Sequence, residues 1–374
     1  MALTRITLAG FRNHPATRLD DTHAFNLLVG DNGAGKTNVL EALSLLAPGR
    51  GLRRAALADM AGQGAARAAD GGFAVSAGLM TADGGEPVML GTAMAGDRPT
   101  RRLVQVNGAE ASAVSLGEWL AVGWLTPAMD RLFMDSASAR RRYLDRLAVA
   151  LDPGHARHAA RYEAALRERN RLLAGESDPD PLWLDSIEAQ MAVSGAALAA
   201  GRARLVALLV AELAHLPPEP FARPLLRLVS GGATGEADLL TELAANRGRD
   251  RAAGRTLSGP HRDELDVSME GKSPHGGSAE GMPAALCSTG EQKAMLIAIT
   301  MVHATLAAAG RPSLLLLDEV AAHLDPVRRA AMFERLRQTG AQVWLTGTEL
   351  APFNDIEGEA AVWRVSGGMM ERVS

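Results

Sequence analysis

Residues 30–37 have the composition and the spacing of a loop that binds phosphate. They read Gly-Asp-Asn-Gly-Ala-Gly-Lys-Thr, and they follow the apolar run 25–29 and precede the helical run 38–43. Glycines let backbone N–H groups surround a phosphate, and the positive end of the following helix favours the same negative charge. The pattern predicts a nucleotide site in which Lys36 reaches the outer phosphates and Thr37 holds Mg²⁺.

The lysine of this loop is unusual for the chain. Only three of the 39 basic residues are lysines, at positions 36, 272 and 293. A chain that otherwise uses arginine has kept lysine where a compact ammonium group is needed and a planar guanidinium would not fit. We therefore expect Lys36 to serve catalysis as well as binding. The candidate nucleotide-binding residues of the loop are Gly30, Asp31, Asn32, Gly33, Ala34, Gly35, Lys36, Thr37 and Asn38.

Two carboxylates follow an apolar strand much later in the chain. Residues 313–317 read Ser-Leu-Leu-Leu-Leu and precede Asp318 and Glu319, which is the Walker B pattern. In this pattern Asp318 binds Mg²⁺ opposite Thr37, and Glu319 orients and deprotonates the attacking water. Lys36 and Asp318 are 282 positions apart. A large insertion between two halves of one sheet explains that distance, and this organisation resembles an ABC-type ATPase head.

A third motif precedes the longest apolar run. Residues 288–293 read Ser-Thr-Gly-Glu-Gln-Lys before the apolar helix 294–309, and they resemble the ABC signature motif. A hydroxyl and a glycine at a helix N-terminus can approach a γ-phosphate closely, which makes Ser288, Gly290 and Glu291 candidate nucleotide contacts. A plain capping box from Ser288 to Glu291 explains the same residues.

Two weaker motifs follow Walker B. Residues 322–325, Ala-His-Leu-Asp, match a D-loop, although an ordinary helix cap before Pro326 explains them too. The strand 343–348 stands where such heads carry a switch histidine, and Thr348 holds that position. The lack of a γ-phosphate sensor should slow hydrolysis, which suits an ATP-controlled clamp better than a fast motor.

Composition indicates a soluble protein of the reducing cytoplasm without a membrane partner. The hydrophobic share is 47% and the charged share 22%, which are ordinary globular values. The single cysteine, Cys287, excludes an internal disulfide framework and a multi-cysteine metal site. The first eight residues alternate like a strand and lack the apolar core of a signal peptide. The apolar run 294–309 is shorter than a membrane span.

The order of elements predicts an α/β fold with a mainly helical insertion. Short alternating runs at 73–80, 88–95 and 101–106 indicate an antiparallel meander, and the chain turns helical from about residue 136. A helical hairpin is expected at about 155–216, and because it lacks sustained heptads we expect no long coiled coil.

We assign lobe I, a mixed sheet with helices, to residues 1–125 and 284–374, which include both Walker motifs. Lobe II covers 126–283, with a flexible stretch at 271–283 and the signature motif at the border of the two lobes.

Further runs are more specific than the Walker motifs. They are Gly-Phe-Arg-Asn at 10–13, Gly-Arg-Gly-Leu-Arg at 49–53, Arg-Arg-Arg-Tyr-Leu-Asp at 140–145, Leu-Ser-Gly-Pro-His-Arg-Asp-Glu at 257–264 and the signature run at 288–293. Over nearly the whole chain these residues resemble the RecF family of SMC-like ABC ATPases. The Phe-Arg-Asn start and the Gly-Pro-His-Arg-Asp run are typical of that family alone.

The resemblance implies a slow ATPase that uses ATP and Mg²⁺ and forms a homodimer when ATP is bound. It implies binding of double-stranded DNA near single-strand gaps in replication and recombinational repair. It also implies cooperation with RecR, together with RecO, in loading RecA.

Local arginine clusters offset a formal net charge of −4, which by itself offers no general attraction to DNA. The clusters are Arg50, Arg53 and Arg54; Arg140, Arg141, Arg142 and Arg146; and Arg247, Arg249, Arg251 and Arg255. They suit phosphate contacts on a duplex, whereas the 4% of aromatic residues argues against a stacking platform for single strands. Solvated helix faces offset by nearby carboxylates are the alternative. Arg262 suits either the ATP-bound interface or a structural salt bridge.

Two other functions are open to a chain with these motifs. A transporter-type ABC ATPase subunit would share the Walker motifs, but the long insertion, the helical hairpin and the Phe-Arg-Asn start argue against it. A non-hydrolysing nucleotide-dependent scaffold would share the fold, but Glu319 supplies the carboxylate that hydrolysis needs.

Overall fold

The computed structural model describes residues 2–80, 85–175, 177, 179–217, 219–271 and 281–373. The chain forms two compact units, unit 1 (Met1–Met129 and Ile299–Ser374) and unit 2 (Asp130–Ala298). Most of the predicted flexible stretch at 271–283 lies outside the described residues. The lobe boundaries after residues 125 and 283 remain a proposal.

The elements are numbered in chain order. The strands are β1 (Leu3–Phe11), β2 (His14–Asp20), β3 (Phe25–Val29), β4 (Phe73–Leu79), β5 (Val88–Met94), β6 (Leu103–Val106), β7 (Ala109–Glu110), β8 (Ala121–Leu125), β9 (Pro224–Val229), β10 (Glu264–Met269), β11 (Met282–Pro283), β12 (Ser313–Leu317), β13 (Gln342–Gly347), β14 (Ala360–Ser366) and β15 (Met369–Arg372). The helices are α1 (Lys36–Ser44), α2 (Leu57–Met60), α3 (Ala113–Trp119), α4 (Ala137–Leu151), α5 (Gly154–Leu173), α6 (Pro181–Ala214), α7 (Glu236–Ala245), α8 (Arg247–Ala252), α9 (Thr289–Ala308) and α10 (Pro326–Gln338).

Unit 1 contains an antiparallel sheet in the order β2-β1-β4-β5-β6-β7. The predicted meander is confirmed, because β4, β5 and β6 pair antiparallel in sequence. The hairpin of β1 and β2 was not predicted as a whole. Its second strand reads His-Pro-Ala-Thr-Arg-Leu-Asp, in which proline and charged residues hide the alternation.

The second sheet of unit 1 positions the candidate site. Its order is β15-β14-β3-β13-β12-β8, and every pair except β14 with β15 is parallel. The register places Val29 beside Gly347 and Leu317 beside Leu345. The carboxyl ends of β3, β12 and β13 therefore meet at one edge, where ligands of open α/β sheets bind.

The buried faces of these strands explain their continuous apolar runs. All five residues of β12 and all six of β13 are buried, as expected for central strands covered on both faces. Trp344 stacks on Trp363 with ring centroids 5.6 Å apart, which ties β13 to β14 across β3. The edge is thus carried by a rigid, fully packed sheet.

Unit 2 is built around the predicted helical hairpin, formed by α5 and α6. Tyr162, Ile187, Met191 and Leu239 are buried at its core. A three-stranded antiparallel sheet in the order β11-β10-β9 completes the unit. Sequence reasoning missed this sheet because its strands are short and carry charged residues, as in Glu-Leu-Asp-Val-Ser-Met of β10.

Ion pairs join the two helices of the hairpin to each other and to the rest of unit 2. Arg169 of α5 donates to Glu188 at 2.9 Å and to Asp250 at 2.7 Å, and all three side chains are buried. Arg202 of α6 pairs with Asp145 and with Asp263, each at 2.8 Å.

Among the described residues, α6 is the one helix that is long and apolar enough to cross a membrane. Core helices of folded domains pass the same test, and α6 buries Met191 and Leu198 in the core of unit 2.

Candidate nucleotide site

The loop at 30–37 connects β3 to α1, as the sequence predicts. Gly33 and Gly35 have φ angles of 81° and 119°, which side chains rarely adopt. Gly30 approaches another strand so closely that a Cβ would lie 2.1 Å from the carbonyl oxygen of Val365. The glycines are therefore required by the conformation of the loop and by its packing.

Lys36 begins α1 and its side chain folds back into the loop. Its ammonium group donates to the carbonyl oxygens of Gly30 at 2.5 Å and Asp31 at 2.9 Å. Lys36 is buried, whereas Asp31, Asn32 and Gly33 are exposed at the rim. The positive charge thus lies inside a loop that is open to a phosphate.

The two Walker motifs meet at the edge of the parallel sheet. The Thr37 hydroxyl lies 2.9 Å and 3.1 Å from the two carboxylate oxygens of Asp318. Hydroxyl and carboxylate oxygens are ligands that Mg²⁺ prefers, and this ion is usually held by one or two protein groups together with substrate phosphates. The residues present fit that ion.

A threonine that sequence reasoning missed holds the second motif in place. The Thr346 hydroxyl donates to Asp318 Oδ1 at 2.8 Å and accepts from the backbone N–H of Glu319 at 2.9 Å. Glu319 has a φ of 53°, in the left-handed region that costs about 1–3 kcal/mol for a residue with a side chain. Thr346 therefore orients one candidate metal ligand and fixes the strained backbone of the candidate base.

Thr348, which the sequence analysis assigned to the histidine position, lies two residues further on. It is exposed, and it lines a pocket of about 700 Å³ together with Gly30, Gly33 and Arg364. Thr346 had no distinguishing signal in the sequence beyond its place near the end of an apolar strand.

The signature residues lie in unit 2 at the start of α9. The backbone N–H of Ser288 donates to Glu291 Oε2 at 2.9 Å, and the N–H of Glu291 donates to Ser288 Oγ at 3.3 Å. This is a reciprocal capping box. Ser288 and Gly290 are nevertheless exposed, so the helix cap leaves both residues accessible to a ligand.

The structure separates the predicted arginine clusters into paired and unpaired side chains. Arg140 binds Glu264, Arg247 binds Glu188 and Asp185, and Arg53 binds Glu41. Burial lowers the pKa of the Arg146 guanidinium to about 10, and two of its nitrogen atoms, Nε and Nη2, are enclosed by the protein and are not available to a surface ligand. Among the arginines that the sequence analysis names, Arg50, Arg142, Arg249, Arg255 and Arg262 are exposed and have no acidic partner within the described part of the chain.

The structure combines a glycine-rich loop at the edge of a parallel sheet, a Walker B carboxylate beside that loop and a large inserted unit. Together these features define an ATPase head of the ABC type. Comparisons with known proteins agree. The family profile described as RecF/RecN/SMC N terminal domain matches residues 2–370. An Smc head domain from Pyrococcus furiosus superimposes with a TM-score of 0.53 at 16% identity, covering 100% of this chain and 96% of that one.

Relatives with higher sequence identity indicate one family within this class of ATPase heads. The DNA replication and repair protein RecF of Mesorhizobium japonicum is 47% identical over 98% of this chain and 96% of its own. The protein of the same name from Brucella suis is 44% identical over 99% of this chain and 96% of its own. A structure of the recombination mediator protein RecF-ATPrS has a TM-score of 0.84 at 20% identity, over 100% of this chain and 98% of that one, which shows the shared fold. The chain belongs to the RecF family.

Proposed function

We propose that this protein is a slow ATPase that acts as an ATP-controlled clamp on duplex DNA beside single-strand gaps, in replication and recombinational repair. The observation that carries the proposal is the contact between Thr37 and Asp318, which are 281 residues apart in sequence and share one site. Glu319 follows Asp318 directly in sequence, so the groups proposed to bind the nucleotide and the group proposed to hydrolyse it lie in one site.

Each residue of the site has a role that its geometry supports. Lys36 would exchange its carbonyl partners for the outer phosphates, and Thr37 and Asp318 would hold Mg²⁺. Bound with ATP, this ion would neutralise charge on the phosphate oxygens. Glu319 orients the attacking water and takes its proton. Because Thr348 stands in the place of a sensor histidine, we expect slow turnover.

A homodimer would complete the site. In heads of this class the signature motif acts on the nucleotide of a second copy, and here Ser288, Gly290 and Glu291 are the residues that would close over it. ATP, but not ADP, presents the γ-phosphate that this contact needs. We therefore expect dimerisation to depend on ATP.

The unpaired arginines supply the contact to DNA. Of the five, Arg142, Arg249, Arg255 and Arg262 belong to unit 2, so unit 2 is expected to carry most of the phosphate contacts. Such contacts fix position without reading sequence. The relatives are named for DNA replication and repair, and a solved relative is described as part of the RecFOR pathway. On that basis we propose cytoplasmic partnership with RecR and RecO, and indirectly with RecA.

Fluorescence anisotropy with duplex, gapped and single-stranded oligonucleotides tests this function. Titrations with ATP and with ADP at several salt concentrations should give tighter binding to gapped duplex with ATP, weakening steeply as salt rises. The matched variants are Arg262→Ala, which removes an unpaired charge, and Arg204→Ala, which removes an arginine paired with Asp152. Equal and salt-insensitive affinity for duplex and single strands would contradict the proposal.

A further inference from the structure

The turn between β1 and β2 contacts the phosphate-binding loop directly. The Asn13 side-chain amide donates to the carbonyl oxygen of Ala34 at 2.9 Å, and its oxygen accepts from the Asn38 amide at 2.8 Å. Asn13 belongs to the Phe-Arg-Asn run, for which the nucleotide chemistry described above gives no role. It joins the loop to the first turn of α1.

His14 makes the next contact along the loop. Its Nε2 lies 3.1 Å from the carbonyl oxygen of Gly35, and its Nδ1 lies 3.0 Å from the Thr17 hydroxyl. A carbonyl only accepts, so Nε2 carries the hydrogen. In the neutral ring Nδ1 is then an acceptor for the Thr17 hydroxyl, which also lies 3.4 Å from the Gly368 carbonyl oxygen. Burial lowers the pKa of His14, with the contacts to Gly35 and Gly368 opposing it, which agrees with a neutral ring.

The fit around these contacts is close. A Cβ on Gly35 would lie 2.8 Å from side-chain atoms of both Asn13 and His14. Gly368, in the turn between β14 and β15, donates its N–H to the Ala34 carbonyl at 3.0 Å, and a Cβ there would lie 1.9 Å from the Asn13 carbonyl oxygen. Three chain segments therefore meet at the carbonyls of Ala34 and Gly35.

Arg12 anchors the same turn to the helix. Its guanidinium binds both carboxylate oxygens of the buried Glu41 of α1, at 2.9 Å and 2.8 Å. Such bidentate pairs fix orientation as well as distance. The turn is thus held to α1 by one residue while the next two contact the loop.

Peptide geometry links these contacts to phosphate binding. In a planar trans peptide the carbonyl and the following N–H point in opposite directions. The Gly35 carbonyl also accepts from the N–H groups of Asn38 and Val39 in α1, at 3.0 Å and 3.2 Å, so His14 adds to a carbonyl that the helix already orients. With the carbonyls of Ala34 and Gly35 held in this way, the N–H groups of Gly35 and Lys36 point in the opposite direction, toward the open side of the loop. We propose that Asn13 and His14 are positioning residues that hold these two N–H groups ready for the phosphates of the nucleotide.

This inference rests on the proposed nucleotide binding. Two measurements distinguish a failure of the inference from a failure of that proposal. The first is the affinity for a non-hydrolysable fluorescent ATP analogue. Asn13→Asp and His14→Leu remove a donor and should weaken binding about tenfold, whereas His14→Gln keeps an amide donor and should stay within about threefold of the original protein. His23→Leu, an exposed histidine away from the turn, is the matched control.

The second measurement is hydrogen exchange of the segment 30–38 without nucleotide. Exchange should become faster in Asn13→Asp and His14→Leu but not in His14→Gln or His23→Leu. Unchanged exchange together with unchanged affinity in Asn13→Asp would overturn the inference. If the unsubstituted protein binds no analogue, the proposed function is overturned, and the exchange result still decides whether the turn holds the loop.

Discussion

Replacing Thr346 with valine tests how the Walker B carboxylates are positioned. Valine has nearly the shape of threonine but neither donates to Asp318 nor accepts from the N–H of Glu319, contacts of 2.8 Å and 2.9 Å in the structure. A hydrogen bond to a charged group contributes about 1.5–3 kcal/mol, and a buried N–H left without an acceptor costs about 1–3 kcal/mol. We expect the free energy of unfolding to fall by about 3 kcal/mol in total.

The effect on hydrolysis should be separable from the effect on binding. If about 2 kcal/mol of this loss also destabilises the transition state of ATP hydrolysis, the turnover rate falls about 30-fold, since each 1.4 kcal/mol of activation free energy changes the rate about tenfold. Nucleotide affinity should stay within about threefold, because we propose that the loop at 30–37 makes most of the phosphate contacts.

Single-turnover hydrolysis of radiolabelled ATP measures the chemical step, and a fluorescent analogue measures the affinity. Thr346→Ser keeps the hydroxyl and should hydrolyse ATP at nearly the original rate. Equal rates for Thr346→Val and the unsubstituted protein would refute the positioning role.

Three further predictions concern other parts of the molecule. Lys36→Arg should weaken nucleotide-dependent retention on DNA at least tenfold in a filter-binding assay, because a guanidinium cannot occupy the space between the Gly30 and Asp31 carbonyls; unchanged retention would count against the clamp. Arg202→Met should lower the free energy of unfolding by about 3–5 kcal/mol in urea titrations, since it leaves the buried carboxylate of Asp263 without its ion-pair partner and leaves Asp145 with His155 alone. Burial raises the pKa of Asp145, but bonds from His155 and Arg202 outweigh it and hold that pKa below 3.8. The stability that this carboxylate contributes is therefore present above the ordinary pKa of an aspartate and is lost progressively as the pH falls through the lowered pKa, so acid titrations should show the loss in that acid range.

The parts of the site that the sequence predicts are those in which local pattern and chemistry coincide. The loop at 30–37 needs its glycines, lysine and threonine at fixed spacing, and Asp318 with Glu319 must follow a buried strand. The register of β3, β12 and β13 then brings the two motifs to one edge. Because parallel strands end at the same edge, this contact could be expected without a structure.

The residues that sequence reasoning missed act through contacts that only the folded chain creates. Thr346 lies 28 positions from Asp318, and His14 lies 21 positions from Gly35. Neither residue stands in a spacing that chemistry requires, since a hydroxyl or an imidazole can donate from many places. The arginine clusters show the same limit, because Arg140 and Arg142 are neighbours in sequence although the carboxylate of Glu264 binds only the first.

Sedimentation velocity of a Glu319→Gln variant with ATP and with ADP tests the central claim most directly, because this change keeps the site's shape while removing the base that would consume ATP. The clamp mechanism predicts a dimer with saturating ATP and a monomer with ADP. A monomer under both conditions, with ATP binding shown in the same samples, would contradict it.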